Sequence, residues 1–234
     1  MCIRDSVLGV VTAEYLGADS AAIPISSNDA AMHHLKKSGT IISLTRIGSP
    51  HVIVAMEDLR NDYENVVGWE VNGGFFTSGD IDMDGAVLSA LPTRDAVLPM
   101  ICAVLSAKDK SLKVSELFAG LPERYTQAGL IDNFDMATSA KIIEALSGDI
   151  DKAMNLINKV FLKDHGFGDV ESIDTTDGVR IYFDNGDVAH LRPSGNAPQL
   201  RMYSNANTQE RADQIVEHAI REPDGLLRAV ESHV

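Results

Sequence analysis

The run Arg192-Pro-Ser-Gly-Asn-Ala-Pro-Gln-Leu-Arg201 sets two guanidinium groups on either side of a loop of small residues, a combination suited to holding a phosphate. Guanidinium forks bind phosphate oxygens bidentately. Ser194 adds a hydroxyl, and Gly195 and Asn196 tolerate the backbone angles by which successive N–H groups converge on an anion. An ordinary Pro-Gly hairpin loop with two solvated arginines has the same composition, so residue chemistry alone leaves both readings open. A second candidate is Gly68-Trp-Glu-Val-Asn-Gly-Gly74, read as a strand over residues 66–71 that ends in an acid, an amide and two glycines. That spacing puts Glu70 and Asn72 on one side at i and i+2, and Gly73 lets a ligand approach the backbone. Acid and amide together can read a vicinal diol. A polar strand end followed by a glycine turn is the plainer alternative.

Two other runs carry less. Asp80-Ile-Asp-Met-Asp-Gly85 imitates a calcium loop, but Leu91 stands where the twelfth-position acid would be needed, so it reads as a solvated turn. His33 and His34 lie beside Lys36 and Lys37 on a charged helix without further ligands nearby, and read as surface.

The whole chain is acidic, with 20 basic against 34 acidic side chains and a formal charge of -14. Such a field repels polyanions, so nucleic acid is not an expected partner and any phosphate is held by local geometry. The longest nearly apolar run, residues 96–107, is too short for a bilayer and contains Pro99 and Ser106, so no membrane span is expected. Arg4 followed by an apolar stretch only weakly resembles a leader, since Asp5 and Glu14 flank it. Cys2 and Cys102 are too few for a disulfide framework or zinc site, and a reducing cytoplasm fits best.

These loops need a scaffold, and the apolar spacing describes one. Leu8, Val11 and Tyr15 predict a helix, residues 18–25 and 41–44 two strands, and Val52, Ala55, Met56 and Leu59 a second helix. Thr93 is placed to cap a further helix whose core stripe is Val97, Met100, Ile101, Val104 and Leu105, with Pro99 far enough in to bend it. Residues 150–161 show clean helical periodicity and either pack between two domains or begin the second. Residues 179–183 and 188–192 form a hairpin about Asn185-Gly186, residues 200–204 another strand, and a helix starts at Asn207 with Glu210 completing a capping box. The expected fold is an α/β mixed-sheet domain over residues 1–133, followed by a small α+β domain over residues 134–234.

Taken together, the segments Pro24-Ile-Ser-Ser-Asn28, Thr45-Arg-Ile-Gly-Ser-Pro50, Gly68-Trp-Glu-Val-Asn-Gly-Gly74, Leu88-Ser-Ala-Leu-Pro-Thr-Arg-Asp95 and Arg192-Pro-Ser-Gly-Asn-Ala-Pro198 resemble, in order, the C-terminal half of the α-D-phosphohexomutases. The Glu-x-Asn-Gly-Gly form is similar to bacterial phosphomannomutases. The resemblance implies the third, α/β/α domain and the fourth domain of that superfamily. It implies that Glu70, Asn72 and Gly73 read sugar hydroxyls, with Arg46, Gly48 and Ser49 in a further active-site loop. It also implies that Arg192, Ser194, Gly195, Asn196 and Arg201 hold the phosphate that does not react. Members move a phosphoryl group between the 1- and 6-hydroxyls of a hexose through a phosphoserine and Mg2+, with a hexose 1,6-bisphosphate midway. Neither a nucleophile loop of the type Thr-Ala-Ser-His-Asn-Pro nor a metal loop of the type Asp-Gly-Asp-Gly-Asp-Arg occurs in this sequence. On the resemblance, both belong to N-terminal domains that would be this chain's partner, and Gly74 replaces a histidine of some relatives. The expectation is therefore the phosphosugar-recognising half of a mutase, inactive alone, in which both loops face a common cleft. A non-catalytic phosphosugar-binding module is the alternative.

Overall fold

Alternation along three short strands decides the layering of the first part of the chain. In β1 (Ser20–Pro24), β3 (Val66–Trp69) and β4 (Phe75–Thr77), the residues Ala21, Ile23, Val67, Trp69 and Phe75 pack to one side. Ala22, Val66 and Phe76 pack to the other. The first side is covered by α1 (Cys2–Tyr15), α2 (Asp29–Ser38) and, through Cys102, α4 (Val97–Asp109); the second by Val52 and Met56 of α3 (Ser49–Leu59). The computed structural model describes residues 2–234, with side chains from Ser6 onward.

This first unit, ending at Glu123, is an α/β/α layer with a mixed sheet in the order β2-β1-β3-β4-β7, where β2 is Ile41–Thr45 and β7 is Leu91–Asp95. The three strands β2, β1 and β3 are parallel, while β4 and β7 are antiparallel to their neighbours. The acidic run at 80–85 holds the exposed turn Asp84-Gly85, with φ of 52° and 89°, which reverses a hairpin of β5 (Ile81–Met83) and β6 (Ala86–Leu88). A short helix, α5 (Val114–Ala119), follows α4.

Helix α4 corrects three expectations. Thr93 belongs to β7, and it is Asp95 whose Oδ1 accepts from the N–H of Val97 at 2.7 Å and of Leu98 at 3.2 Å. Its apolar stripe also faces outward: Val97, Met100, Ile101 and Val104 are each at least half exposed, while Pro99, Cys102, Ala103, Ser106 and Ala107 are buried. Ala103 and Ala107 meet Val11 of α1, so small residues made the closer helix contact. Pro99 lies in the first turn, where its missing N–H removes no intrahelical bond.

The second unit, Arg124–Val234, is an antiparallel sheet in the order β8-β12-β11-β10-β9. Its strands are β8 (Tyr125–Asp132), β9 (Val170–Asp174), β10 (Val179–Phe183), β11 (Val188–Pro193) and β12 (Gln199–Ala206). Against an expected division after residue 133, β8 pairs along β12 for its whole length and so lies in the second unit. Ile181, Leu191, Leu200 and Met202 form a core with α6 (Met136–Ser147), α7 (Ile150–Val160), α8 (Gln209–Ile220) and α9 (Leu226–Glu231). Helix α7 thus belongs to the core of this unit, through Ala153, Ile157 and Val160. Helix α8 is capped by Thr208 rather than Asn207, its side chain accepting from the N–H of Arg211 at 3.1 Å.

Candidate functional site

The intervening residues of β10, β11 and β12, namely Arg180, His190, Arg192, Arg201 and Tyr203, alternate with the core residues and so share the opposite sheet face. Arg192 and Arg201 are direct cross-strand partners at the end of the β11–β12 hairpin. Like charges in that position repel, so the pair costs stability unless negative charge lies nearby. Asp177 provides some: its Oδ2 accepts from Nε of Arg192 at 2.9 Å, both side chains being 18% exposed. Arg201 meets only neutral oxygens, Ser194 Oγ at 3.3 Å and Gln199 Oε1 at 3.1 Å, and its buried Nε has no partner among the described residues. The Asp177 carboxylate thus meets Arg192 while Arg201 has no carboxylate partner among the described residues, which leaves a net positive pair.

The loop beyond them, residues 194–198, is closed by the N–H of Ser194 on the carbonyl of Gln199 at 2.8 Å. Ser194 is buried and its hydroxyl reaches Asn196 Oδ1 at 3.2 Å, whereas Gly195 and Asn196 are exposed. Neither of those two takes a positive φ, so the left-handed backbone angles of an anion nest are missing here and recognition falls to side chains. A cavity of about 210 Å³ adjoins the loop, lined by Ser139, Pro193, Ser194 and Gln199 among others.

In the first unit, β3 ends at Trp69, so Glu70 and Asn72 sit in a turn rather than side by side on a strand. Trp69 stacks on Phe75 across the hairpin, with ring centroids 5.9 Å apart. The Glu70 N–H donates to the Gly74 carbonyl at 2.9 Å, and Asn72 spends Oδ1 on the Gly74 N–H at 3.1 Å. Gly73 closes the turn at φ 86°. The carboxylate of Glu70 is largely buried: Ser49 Oγ donates to Oε2 at 2.7 Å and Arg94 Nε stands 3.6 Å away. Oε1 has no partner among the described residues. Ser49 opens α3 directly after Gly48, which brings the β2–α3 loop onto the β3–β4 turn. Arg46, in the same loop, is exposed.

Two family models match this chain: "Phosphoglucomutase/phosphomannomutase, alpha/beta/alpha domain III" over residues 5–125 and "Phosphoglucomutase/phosphomannomutase, C-terminal domain" over residues 133–222. The chain belongs to the phosphoglucomutase/phosphomannomutase family. It is 40% identical to a phosphomannomutase of Salmonella muenchen and 34% identical to one of Sinorhizobium fredii, each match covering 92% of this chain and 43% of the relative. The chain therefore spans less than half the length of those mutases. Among solved structures, a phosphoglucomutase/phosphomannomutase family protein from Burkholderia thailandensis aligns with TM-score 0.63 at 16% identity, over 98% of this chain and 42% of that one. An Aspergillus fumigatus N-acetylphosphoglucosamine mutase, solved with GlcNAc-6P and magnesium, aligns with TM-score 0.60 at 13% identity, over 99% of this chain and 43% of that one. Both likenesses concern fold alone.

For a phosphoglucomutase/phosphomannomutase family member, three neighbours of the expected residues escaped sequence reasoning: Arg94, Asp177 and His190. Arg94 lies inside a family-like segment, which was a usable signal; Asp177 reaches Arg192 only through strand pairing that no local pattern encodes. Among the described residues no group of three or more His, Cys, Asp or Glu is placed to hold a metal ion. No helix among them is long and apolar enough to cross a membrane.

Proposed function

We propose that this chain supplies sugar and phosphate recognition to a phosphomannomutase-type intramolecular phosphotransferase that interconverts hexose 1-phosphate and hexose 6-phosphate. The observation that carries the reading is the in-register pair Arg192 and Arg201, of which Arg192 meets the Asp177 carboxylate and Arg201 the Ser194 hydroxyl. A phosphate dianion there would relieve the repulsion and take up unused N–H donors. Arg192, Ser194 and Arg201, with Gly195 and Asn196 leaving room at the loop surface, hold the phosphate that does not react. Glu70, held by Ser49 and Arg94, offers Oε1 to a sugar hydroxyl, with Asn72, Gly73, Arg46 and Gly48 lining the same pair of loops. The contribution to catalysis is orientation, since each group that fixes the substrate reduces the entropy it still has to lose. Because the bisphosphate must be bound in two orientations, the recognition groups address features common to both.

Mg2+ and the phosphoserine, which the family reading implies, have no holding residues in this proposal, and among the described residues no group of three or more His, Cys, Asp or Glu is placed to hold a metal ion. We place the reaction in the cytoplasm, where the Cys102 thiol, pushed up to about 11 by burial, stays protonated and unreactive. No nucleic acid or membrane partner enters the reading.

Calorimetric titration of the 234-residue chain with mannose 6-phosphate tests recognition, and absence of binding at millimolar ligand overturns it. An assay for interconversion of mannose 1-phosphate and mannose 6-phosphate by the same chain is expected to show no turnover. Measurable turnover would return the reading to the drawing board. The module alternative draws on the missing nucleophile motif, and it gains if the DNA upstream of Met1 encodes neither the serine nor the aspartate loop.

A further inference from the structure

The turn between β9 and β10 is pressed onto β11 at one place. Gly178 takes φ 79°, and a Cβ added there would lie 2.2 Å from the carbonyl oxygen of Leu191 and 3.1 Å from Cα of Arg192. No other residue type fits both the angle and the space. The residue before it, Asp177, is thereby set against Arg192 and is held twice from the same face of β11. Its carboxylate receives Nε of Arg192 at 2.9 Å, and its backbone carbonyl receives Nε2 of His190 at 2.7 Å.

His190 is fully buried, and the groups facing it are the Arg180 guanidinium from β10, the Tyr203 ring from β12 with centroids 5.5 Å apart, and Asp177 and Arg192. Burial first, and Arg180 next, push its pKa down to about 4, so the imidazole is neutral at pH 7. A neutral ring that meets a carbonyl through Nε2 carries its proton there and donates it.

We propose that Asp177 is a positioning residue for anion recognition, holding Arg192 by Nε so that the terminal nitrogens of the guanidinium are aimed at the anion, with Gly178 and His190 fixing Asp177 in place. The proposal rests on the phosphate reading of this loop. It also makes an unintuitive statement about charge. Asp177 is negative and stands beside an anion site, so on charge alone its removal would tighten anion binding. As a positioning residue, its removal loosens the guanidinium and weakens binding instead.

The experiment is calorimetric titration of the full chain with mannose 6-phosphate, and separately with inorganic phosphate, in wild type, Asp177→Asn, Arg192→Ala and the double variant. Asp177→Asn is expected to weaken both ligands about tenfold, the worth of one charged hydrogen bond, although it adds net positive charge. In the Arg192→Ala background the same change is expected to have no further effect, which a general loss of structure would not reproduce. Equal or tighter binding by Asp177→Asn, or a full additional loss in the Arg192→Ala background, overturns the proposal and leaves the phosphate reading standing. A wild-type chain that binds neither ligand overturns the phosphate reading and this inference with it. Should Asp177→Asn not fold, the wild type still decides: the Arg192 Hε, identified by NMR through its loss in Arg192→Lys, is expected to exchange slowly, and exchange at the rate of a free guanidinium overturns the proposal.

Discussion

The turn at Glu70 to Gly74 and the loop at Ser194 to Pro198 are both short polar reversals, yet their polar groups are satisfied in opposite ways. In the first, the carboxylate already has Ser49 and Arg94, and the Asn72 amide closes its own turn. In the second, two arginines confront each other across the strands and Asp177 meets only Arg192 of the two. A satisfied turn has little to gain from a ligand beyond the hydrogen bonds it exchanges with water. An under-satisfied one gains the relief of a standing repulsion. On the proposed reading, this contrast predicts that the arginine loop would supply most of the affinity and the glutamate turn the discrimination among ligands that share a phosphate.

The largest test of the contrast concerns how rigidly each region is built. At Gly178 a Cβ meets the backbone of β11, which cannot yield, whereas at Gly74 it meets Cγ of Arg94 at 2.8 Å, part of a flexible and exposed side chain. Gly178→Ala is expected to destabilise the second unit by roughly 3 kcal/mol or more, and Gly74→Ala by about 1 kcal/mol. Urea denaturation reads both. Similar losses at the two positions would show that the loops do not differ in stiffness.

Next in size is the loss of the anion-binding charge. Arg192→Ala removes charged hydrogen bonds and leaves Asp177 without that guanidinium beside the anion, so mannose 6-phosphate affinity is expected to fall by about 2 to 3 kcal/mol. The matching change in the other region, Glu70→Gln, should cost less. If the order is reversed, the contrast fails.

Much of this scaffold was legible before coordinates. The strand alternation at 179–183 and 188–192 is strong, and the stripe Ala212, Ile215, Val216 and Ala219 on α8 is the buried one. Helix α4 was misread for a physical reason: both of its faces are apolar, and the smaller one, Ala103 and Ala107, was chosen because it lets α1 approach closely. Strand β8 escaped notice because Tyr125 to Asp132 alternates weakly and is specified by pairing with β12 at the far end of the chain. The site shows the same split. Residues inside local runs, such as Arg192, Ser194 and Glu70, could be singled out from residue chemistry, while Asp177 and His190 matter only through the register of β9, β10 and β11.

A pH scan sharpens the contrast through His190, for the glutamate turn has no counterpart to it. Its folded pKa of about 4 lies below the ordinary 6.5, so the folded state excludes a proton that the unfolded chain binds. The stability held by neutral His190 is complete above pH 6.5 and is lost as pH falls toward 4. His218, pushed down by burial and by His165, works in the same direction. Between pH 7.5 and pH 5, above the range where paired carboxylates such as Asp135 and Glu222 begin to matter, the His190 share is roughly 2 kcal/mol. Urea melts of wild type and His190→Gln at the two pH values should show a slope flattened by about that amount in the variant. Equal slopes would mean that the imidazole titrates normally and does not lock the turn.

The smallest effect expected is the one that separates sugar from phosphate. Glu70→Gln keeps the shape of the side chain and its bond from Ser49, but replaces a charged acceptor by a neutral one. Binding of inorganic phosphate should be unchanged, because that anion has no sugar hydroxyl to offer the β3–β4 turn. Mannose 6-phosphate should bind more weakly by about 1 kcal/mol, the net worth of one hydrogen bond to a sugar hydroxyl. Ser49→Ala should show the same pattern at about half the size, since it frees the carboxylate without removing it. The two ligands therefore report on different loops, and their ratio is the quantity to follow. A ratio that Glu70→Gln leaves constant would mean that the turn contributes nothing to recognition and that its buried carboxylate serves only to tie α3 and β7 to the end of β3.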